Sequence, residues 1–150
     1  MFFKTSPMFS TSSKYAIKAV LYLALKTNEK KKITVKEIAE PINVPKAYIA
    51  KLLQELSRQK IISSTRGPKG GFYLSDENKK QPLINIISAL KGEEKMHNCL
   101  LNLKHCNEAK PCPLHELASP LRSKLFKNLN SKTIQEISEE INRGEVFLPI

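Results

Sequence analysis

Apolar positions near the start of the chain recur at helical spacing. In TSSKYAIKAVLYLALKTN, residues 11–28, Ile17, Val20, Leu21 and Ala24 follow the i, i+3, i+4, i+7 rule and predict a helix with one buried stripe, capped by Thr11 or Ser12. The segment TVKEIAE opens with Thr34 and Glu37 at capping-box spacing, which predicts a short second helix that Pro41 ends. After the turn PINV, Pro45 is expected to open a third helix, since the N–H it lacks is not needed in a first turn. Ile49, Leu52, Leu53 and Leu56 form one face of that helix, and Ala47, Ala50, Lys51 and Gln54 form a small, polar one.

The period then changes. In IISSTRGPKGGFYLS, Ile61 and Ile62 and then Phe72, Tyr73 and Leu74 have the character of strands, and RGPKGG supplies the residues of a reversal, so a β-hairpin is expected. Further on, QPLINIISALKG predicts a short helix opened by Pro82, with Leu83, Ile86, Ile87 and Leu90 toward the core. In PLHELASPLRSKLFKNL, Leu114, Leu117, Leu121 and Leu125 line one side of a long helix that Pro120 should bend or delay. TIQEISEEI carries a second capping box, Thr133 and Glu136, with Ile134, Ile137 and Ile141 as anchors.

A short helix, a tight turn and a longer helix with a small, polar outer face is the helix-turn-helix pattern, in which the second helix enters a major groove. The hairpin directly after it reads as a wing. Arg66 and Lys69 at its tip can reach phosphates or a narrow minor groove, while Gly70 and Gly71 are expected to let the backbone approach a duplex closely.

Charge sharpens this picture. The net charge is +11, and residues 1–80 hold 16 Lys and Arg against 6 Asp and Glu, whereas residues 81–150 hold 9 against 8. The basic surface is therefore N-terminal, which points first to nucleic acid and second to an anionic membrane. The longest apolar run, AVLYLAL at 19–25, is too short to cross a bilayer, and MFFKTSP lacks the layout of a secretory signal. The expected compartment is a reducing cytoplasm.

The order SSKYAIKAVLYLA, TVKEIAE, VPKAYIAKLLQEL, IISSTRGPKGGFYL, followed by a cysteine-bearing loop, resembles the BadM/Rrf-type winged-helix regulators over residues 10–141. That family includes the iron–sulfur cluster regulator, the nitric-oxide-sensing repressor and the cysteine-metabolism repressor. The resemblance implies a homodimer on palindromic operator DNA, with the long C-terminal helix packed against its mate. The expected fold class is mainly α with a small β-hairpin: a winged helix-turn-helix plus a long dimerisation helix. Residues 1–9 are expected to be a flexible start, in which Met8 is a second candidate initiator, residues 10–80 the DNA-binding region, and residues 81–150 the cysteine loop and dimerisation region. The DNA-facing set is Ser13 and Lys14 on helix one, Lys46, Ala47, Tyr48, Ala50, Lys51 and Gln54 on the third helix, and Arg66, Lys69, Gly70 and Gly71 on the wing.

All three cysteines lie in CLLNLKHCNEAKPCPLH, residues 99–115. Cys99, Cys106 and Cys112 are separated by six and five residues, too wide for a zinc knuckle built on two-residue gaps but long enough to fold round a cluster. His115 follows Cys112 by three residues, within the first turn of the long helix. The resemblance implies that these three sulfurs and one nitrogen are the ligands of a two-iron, two-sulfur cluster; His97 and His105, the latter directly before Cys106, are less well supported as ligands. Four-iron relatives take an aspartate from the first helix of the other subunit, and the matching position here is the cation Lys14. A four-iron cluster, zinc, and free or redox-sensitive thiols without metal remain the alternatives for the loop; for the regulator as a whole the alternative is the same DNA-binding module without a cluster, sensing by thiol oxidation or a small-molecule effector.

Cys112 and His115 also have the spacing of a nucleophile and base. No carboxylate nearby in the sequence orients the histidine, and there is no CxxC pair, phosphate-binding glycine loop or HExxH, so an enzyme is not expected. A polyanion-binding structural protein is the remaining class, and it would bind DNA regardless of sequence.

Overall fold

The computed structural model of the protein describes residues 9–97, 101 and 107–150, apart from the side chain of Lys95. The segment before Phe9, with both candidate initiators, lies outside the described residues, as do Cys99, His105 and Cys106. The elements run α1 (Thr11–Lys26), α2 (Val35–Ile42), α3 (Lys46–Arg58), β1 (Ser63–Thr65), β2 (Gly71–Tyr73), α4 (Asp76–Lys79), α5 (Ile84–Ala89), α6 (Glu93–Met96), α7 (His115–Ser131) and α8 (Ile134–Asn142). The described chain is thus mainly helical with one two-stranded antiparallel sheet, the fold class expected.

Helix α1 is the central element, packed by α2, α3, α5 and α8. Ala16, Ala19, Val20 and Leu23 have no exposed surface, and Leu21 and Ala24 are buried beside them, whereas Ile17 is half-buried. The buried face is therefore wider than the one stripe expected, and its alanines let neighbouring helices come close. The cap is Ser10 rather than Thr11 or Ser12: its hydroxyl accepts the Ser13 N–H at 3.1 Å.

Local chemistry sets the helix ends. At α2 the Thr34 hydroxyl accepts the Glu37 N–H while the Glu37 carboxylate accepts the Thr34 N–H at 2.7 Å, and this holds the carboxyl of Glu37 below its usual range. Pro41 does not end α2 but sits in its last turn, where its ring removes only one hydrogen bond. The end comes at Asn43, left-handed at φ 56°, with the Val44 N–H returning to the Ala39 carbonyl. Pro45 is the N-cap of α3, one residue before its expected place, and its carbonyl accepts from Tyr48 and Ile49.

The wing strands are shorter than expected, because Ile61 and Ile62 precede β1. Lys60 turns left-handed at φ 60° and the Ile61 N–H bonds the Leu56 carbonyl, so both isoleucines fall into the core, 5% and 1% exposed. Strands β1 and β2 pair Ser63 with Tyr73 and Thr65 with Gly71. Phe72 also bridges to Ile33, exchanging both backbone hydrogen bonds at 2.8 and 3.1 Å. Gly71 has to be glycine there, since a Cβ would lie 2.5 Å from the Ile33 carbonyl oxygen.

Pro82 does not open α5. It pairs as an isolated bridge with Thr133, flanked by the Leu83 N–H to the Lys132 carbonyl (2.9 Å) and the Ile134 N–H to the Gln81 carbonyl (3.0 Å), so α5 starts at Ile84. This ties the start of α5 to the junction of α7 and α8. Ile86 and Ile134 join the same core as α1, α2 and α3, while Ile84, Ile87 and Met96 form a second cluster with Leu125, Phe126 and Leu129 of α7. The leucine stripe of α7 is accordingly split: Leu125 packs on that cluster, but Leu117 and Leu121 are 69% and 70% exposed. The helix starts at His115, ahead of Pro120, and continues through it.

Thr27 joins the end of α1 to the wing. Its buried hydroxyl donates to the Leu23 carbonyl at 2.6 Å and accepts the Leu74 N–H at 3.1 Å. Thr27→Val keeps the shape but orphans that N–H, so urea unfolding is expected to show a loss of ~1–3 kcal/mol. An unchanged midpoint would show that another group satisfies Leu74.

Candidate DNA-binding surface and cysteine loop

The amphipathic pattern of α3 sets which of its residues face out. Ile49, Leu53 and Leu56 have no exposed surface and Leu52 has 8%, which leaves Lys46, Ala47, Tyr48, Lys51 and Gln54 exposed and Ala50 half-buried. The short side chains at 47 and 50 keep this face low between its two lysines. Tyr48 is held from the side: its ring meets that of Tyr15 on α1 edge-on, with centroids 5.8 Å apart at 75°.

Arg66 and Lys69 stand exposed at the wing tip, where the Gly70 N–H bonds the Gly67 carbonyl at 2.9 Å and Gly67 takes φ 103°. A Cβ on Gly70 would run into the Thr65 carbonyl. Gly70 and Gly71 therefore have a reason inside the fold, distinct from the close approach to a duplex expected of them.

The root of the wing is braced. The Ser63 hydroxyl donates to Asn78 Oδ1 at 2.7 Å, Asn78 Nδ2 and Gln81 Nε2 both donate to the Lys60 carbonyl at 3.2 and 3.0 Å, and Ser57 on α3 bonds Ser64 on β1 at 2.9 Å. Asn78 and Gln81 thus fix the wing relative to α3. Sequence reasoning missed them, as it missed Tyr15, because no local period marks a partner so far along the chain.

Electrostatics separate two kinds of cation. Lys36, Arg58, Lys80, Lys132 and Arg143 are matched by carboxylates within 4 Å. The Arg58 guanidinium holds the Glu55 carboxyl down at about 2, so that pair stays ionised and mutually neutralised at neutral pH. Lys14, Lys46, Lys51, Arg66 and Lys69 form no ion pair among the described residues. Their charge is available to a polyanion.

Ser13 is corrected. It has no exposed surface, its hydroxyl accepts from Ser10 at 2.9 Å, and it packs so closely on Gly92 that a Cβ there would collide with it. Its role is to seat α1 against the chain after α5, and it cannot touch a duplex in this fold.

Of the expected metal ligands, Cys112 and His115 lie within the described residues, both half-buried, with the His115 N–H bonded to the Cys112 carbonyl at 3.0 Å. They sit at the start of α7. A soft sulfur donor and an imidazole together at that end fit an iron–sulfur site; Cys99 and Cys106 lie outside the described residues. Among the described residues no three His, Cys, Asp or Glu side chains gather. At its other end the loop leaves from α6, where Met96 is 2% exposed and the His97 ring stacks on Phe126 of α7, centroids 4.6 Å apart.

Residues 9–140 match the Rrf2 family, described as an iron-dependent transcriptional regulator. The chain belongs to the Rrf2 family. It is 34% identical over 138 residues to a protein of Aquifex aeolicus named as an HTH-type transcriptional regulator, covering 89% of this chain and 94% of that one. It is 27% identical to the HTH-type transcriptional regulator IscR of Escherichia coli, covering 92% and 82%. Among solved structures, CymR of B. subtilis, a global cysteine regulator, superposes with TM-score 0.69 at 24% identity over 87% of this chain and 95% of that one, and T. potens IscR with 0.68 at 21% over 91% and 90%. These likenesses establish the winged-helix fold. Membership of a family of DNA-binding regulators sets aside an enzymatic role for Cys112 and His115. No described helix is long and apolar enough to cross a membrane.

Proposed function

We propose that this Rrf2 regulator acts as a cytoplasmic homodimer on palindromic operator DNA and senses through a two-iron, two-sulfur cluster held by Cys99, Cys106, Cys112 and His115. The DNA-facing set is Lys14, Lys46, Ala47, Tyr48, Ala50, Lys51 and Gln54 with Arg66, Lys69 and the backbone of Gly70 and Gly71. In this reading residues 10–80 hold the DNA and residues 81–150 carry the cysteine loop and the dimer contact, for which the exposed Leu117 and Leu121 of α7 supply an apolar seam. When bound, the cluster would supply one-electron redox chemistry and sensitivity to oxidants.

The observation that carries the sensor reading is the placement of Cys112 and His115 together at the head of α7, a helix whose far half is packed into the body of the protein. A second reading, the same regulator sensing by thiol oxidation without a cluster, draws support from Staphylococcus aureus CymR, solved also in an oxidised form and superposing with TM-score 0.65 at 25% identity. Anaerobic purification separates the two. The cluster reading expects charge-transfer absorbance with about two irons and two acid-labile sulfides per chain; iron-free protein that forms a reversible disulfide would replace it with the thiol reading. His115→Cys should keep the chromophore and lower its reduction potential, because a thiolate replaces a neutral ligand.

A further inference from the structure

A groove of about 550 Å³ runs between α1, α8 and the C-terminal segment 146–149. That volume is within the ~300–1,000 Å³ range of small-molecule sites. Its walls are apolar, with Ile17 and Leu21 from α1, Ile137 and Ile141 from α8, and Leu148 from the terminal segment. The charged residues that line it are Lys14 and Lys18, one turn apart on α1. No described acid lines it: Glu136, Glu139 and Glu140 line a different hollow beside α8, with Lys132 and Arg143. Neither Lys14 nor Lys18 has an ion-pair partner among the described residues. Thr11 also borders the groove, so the positive end of the 16-residue helix α1 is near the same rim.

An apolar trough with two cations unmatched by any described acidic side chain at one edge is complementary to a molecule with a hydrocarbon body and a single negative head. We propose that this groove is an effector site for a small amphipathic monocarboxylate, its chain between α1 and α8 and its carboxylate on Lys14 and Lys18. The site has a route to the DNA surface. Tyr15 lines the groove, and its ring also meets that of Tyr48 on the exposed face of α3. A ligand that shifts Tyr15 shifts the side support of Tyr48. This goes beyond the cluster reading and does not depend on it, since binding to the groove is measurable without DNA and without iron.

The test is calorimetric titration of the full chain with sodium octanoate and, in parallel, with 1-octanol. Octanoate is expected to saturate one site per chain, and octanol to bind roughly 10-fold more weakly. Lys18→Gln should weaken octanoate roughly 5–10-fold with unchanged thermal unfolding. Val146→Glu, at a lining position already 41% exposed, should abolish binding by adding a carboxylate to a groove that no described acidic side chain lines. With operator DNA obtained by in vitro selection, saturating octanoate should change affinity at least ~5-fold. No saturable binding, or equal binding of octanol, would overturn the proposal. So would dissociation of a dimer by Val146→Glu in sedimentation, which would make the groove an interface between copies. Binding without any shift in operator affinity would overturn the regulatory role.

Discussion

Changing Cys99, Cys106 and Cys112 together to alanine is expected to leave the proposed homodimer folded, with an operator affinity that differs by ~5–150-fold from that of protein carrying the proposed cluster, while non-specific binding barely moves. Folding should survive because, among the described residues, the two packed clusters are built mainly from α1, α2, α3, α5, α6, α7 and α8 and do not include Cys112. The size of the effect follows from elimination of the simplest coupling. A two-iron cluster of formal charge +2 with three thiolates and a neutral imidazole differs from the empty, protonated loop by one charge, and beyond the ~8–10 Å Debye length one charge is largely screened. Coupling therefore has to be mechanical. The loop leaves from His97, stacked on Phe126 in the packed half of α7, and returns at Cys112 ahead of the exposed half. Ligation would pin both ends of that helix, and the α7–α8 junction is hydrogen-bonded to residues 81–83 directly after the wing brace. Titrating operator DNA with cluster-loaded, cluster-free and triple-alanine protein at one salt concentration measures this; equal affinities in all three would sink the sensor reading.

The order of elements was legible in the chain wherever one local rule decided the outcome. Thr34 with Glu37, and Thr133 with Glu136, close capping boxes as their spacing implies, and the apolar face of α3 is buried as its period implies. The prolines misled for a physical reason. Pro41 and Pro82 read as a stop and a start from their own backbone limits, but Pro41 falls where a final turn loses only one bond, and Pro82 is captured by Thr133 from far along the chain. Ser13 belongs to the expected DNA-facing set beside Lys14, yet it is buried, and Gly92, which packs against its hydroxyl, follows α5 and leaves no mark near position 13. The wing tip was legible as a reversal, whereas the reason for its last two glycines, the carbonyls of Thr65 and Ile33, became visible only once the third rung at Ile33 was in place. Nothing periodic marks the groove above α1 either, because its walls are assembled from both ends of the chain.

Changing Arg66 and Lys69 to alanine is expected to flatten the salt dependence of DNA binding more than any comparable pair. Both stand exposed on a tip whose root is fixed to α3 through Asn78, Gln81 and Ser57, and neither is neutralised by a described acid. Each neutralised phosphate releases counterion with a slope near ~0.9 in log K against log salt, so the proposed dimer, stripped of both cations on each wing, should have a slope smaller by ~3.6. Between ~50 and ~200 mM salt the wild type should therefore lose ~100-fold more affinity than the variant. Arg66→Lys divides the contribution further. If Arg66 meets only phosphate, lysine keeps the slope and the sequence preference; if its planar guanidinium enters a narrow minor groove, the slope stays and discrimination among operators falls. Asn78→Ala supplies the structural counterpart, since it keeps both cations but loosens the root that aims them: specific affinity should fall with the salt slope of non-specific binding unchanged. Fluorescence anisotropy titrations across that salt range read all three variants, and a double-alanine variant with the wild-type slope would remove the wing from the interface and leave α3 to bind alone.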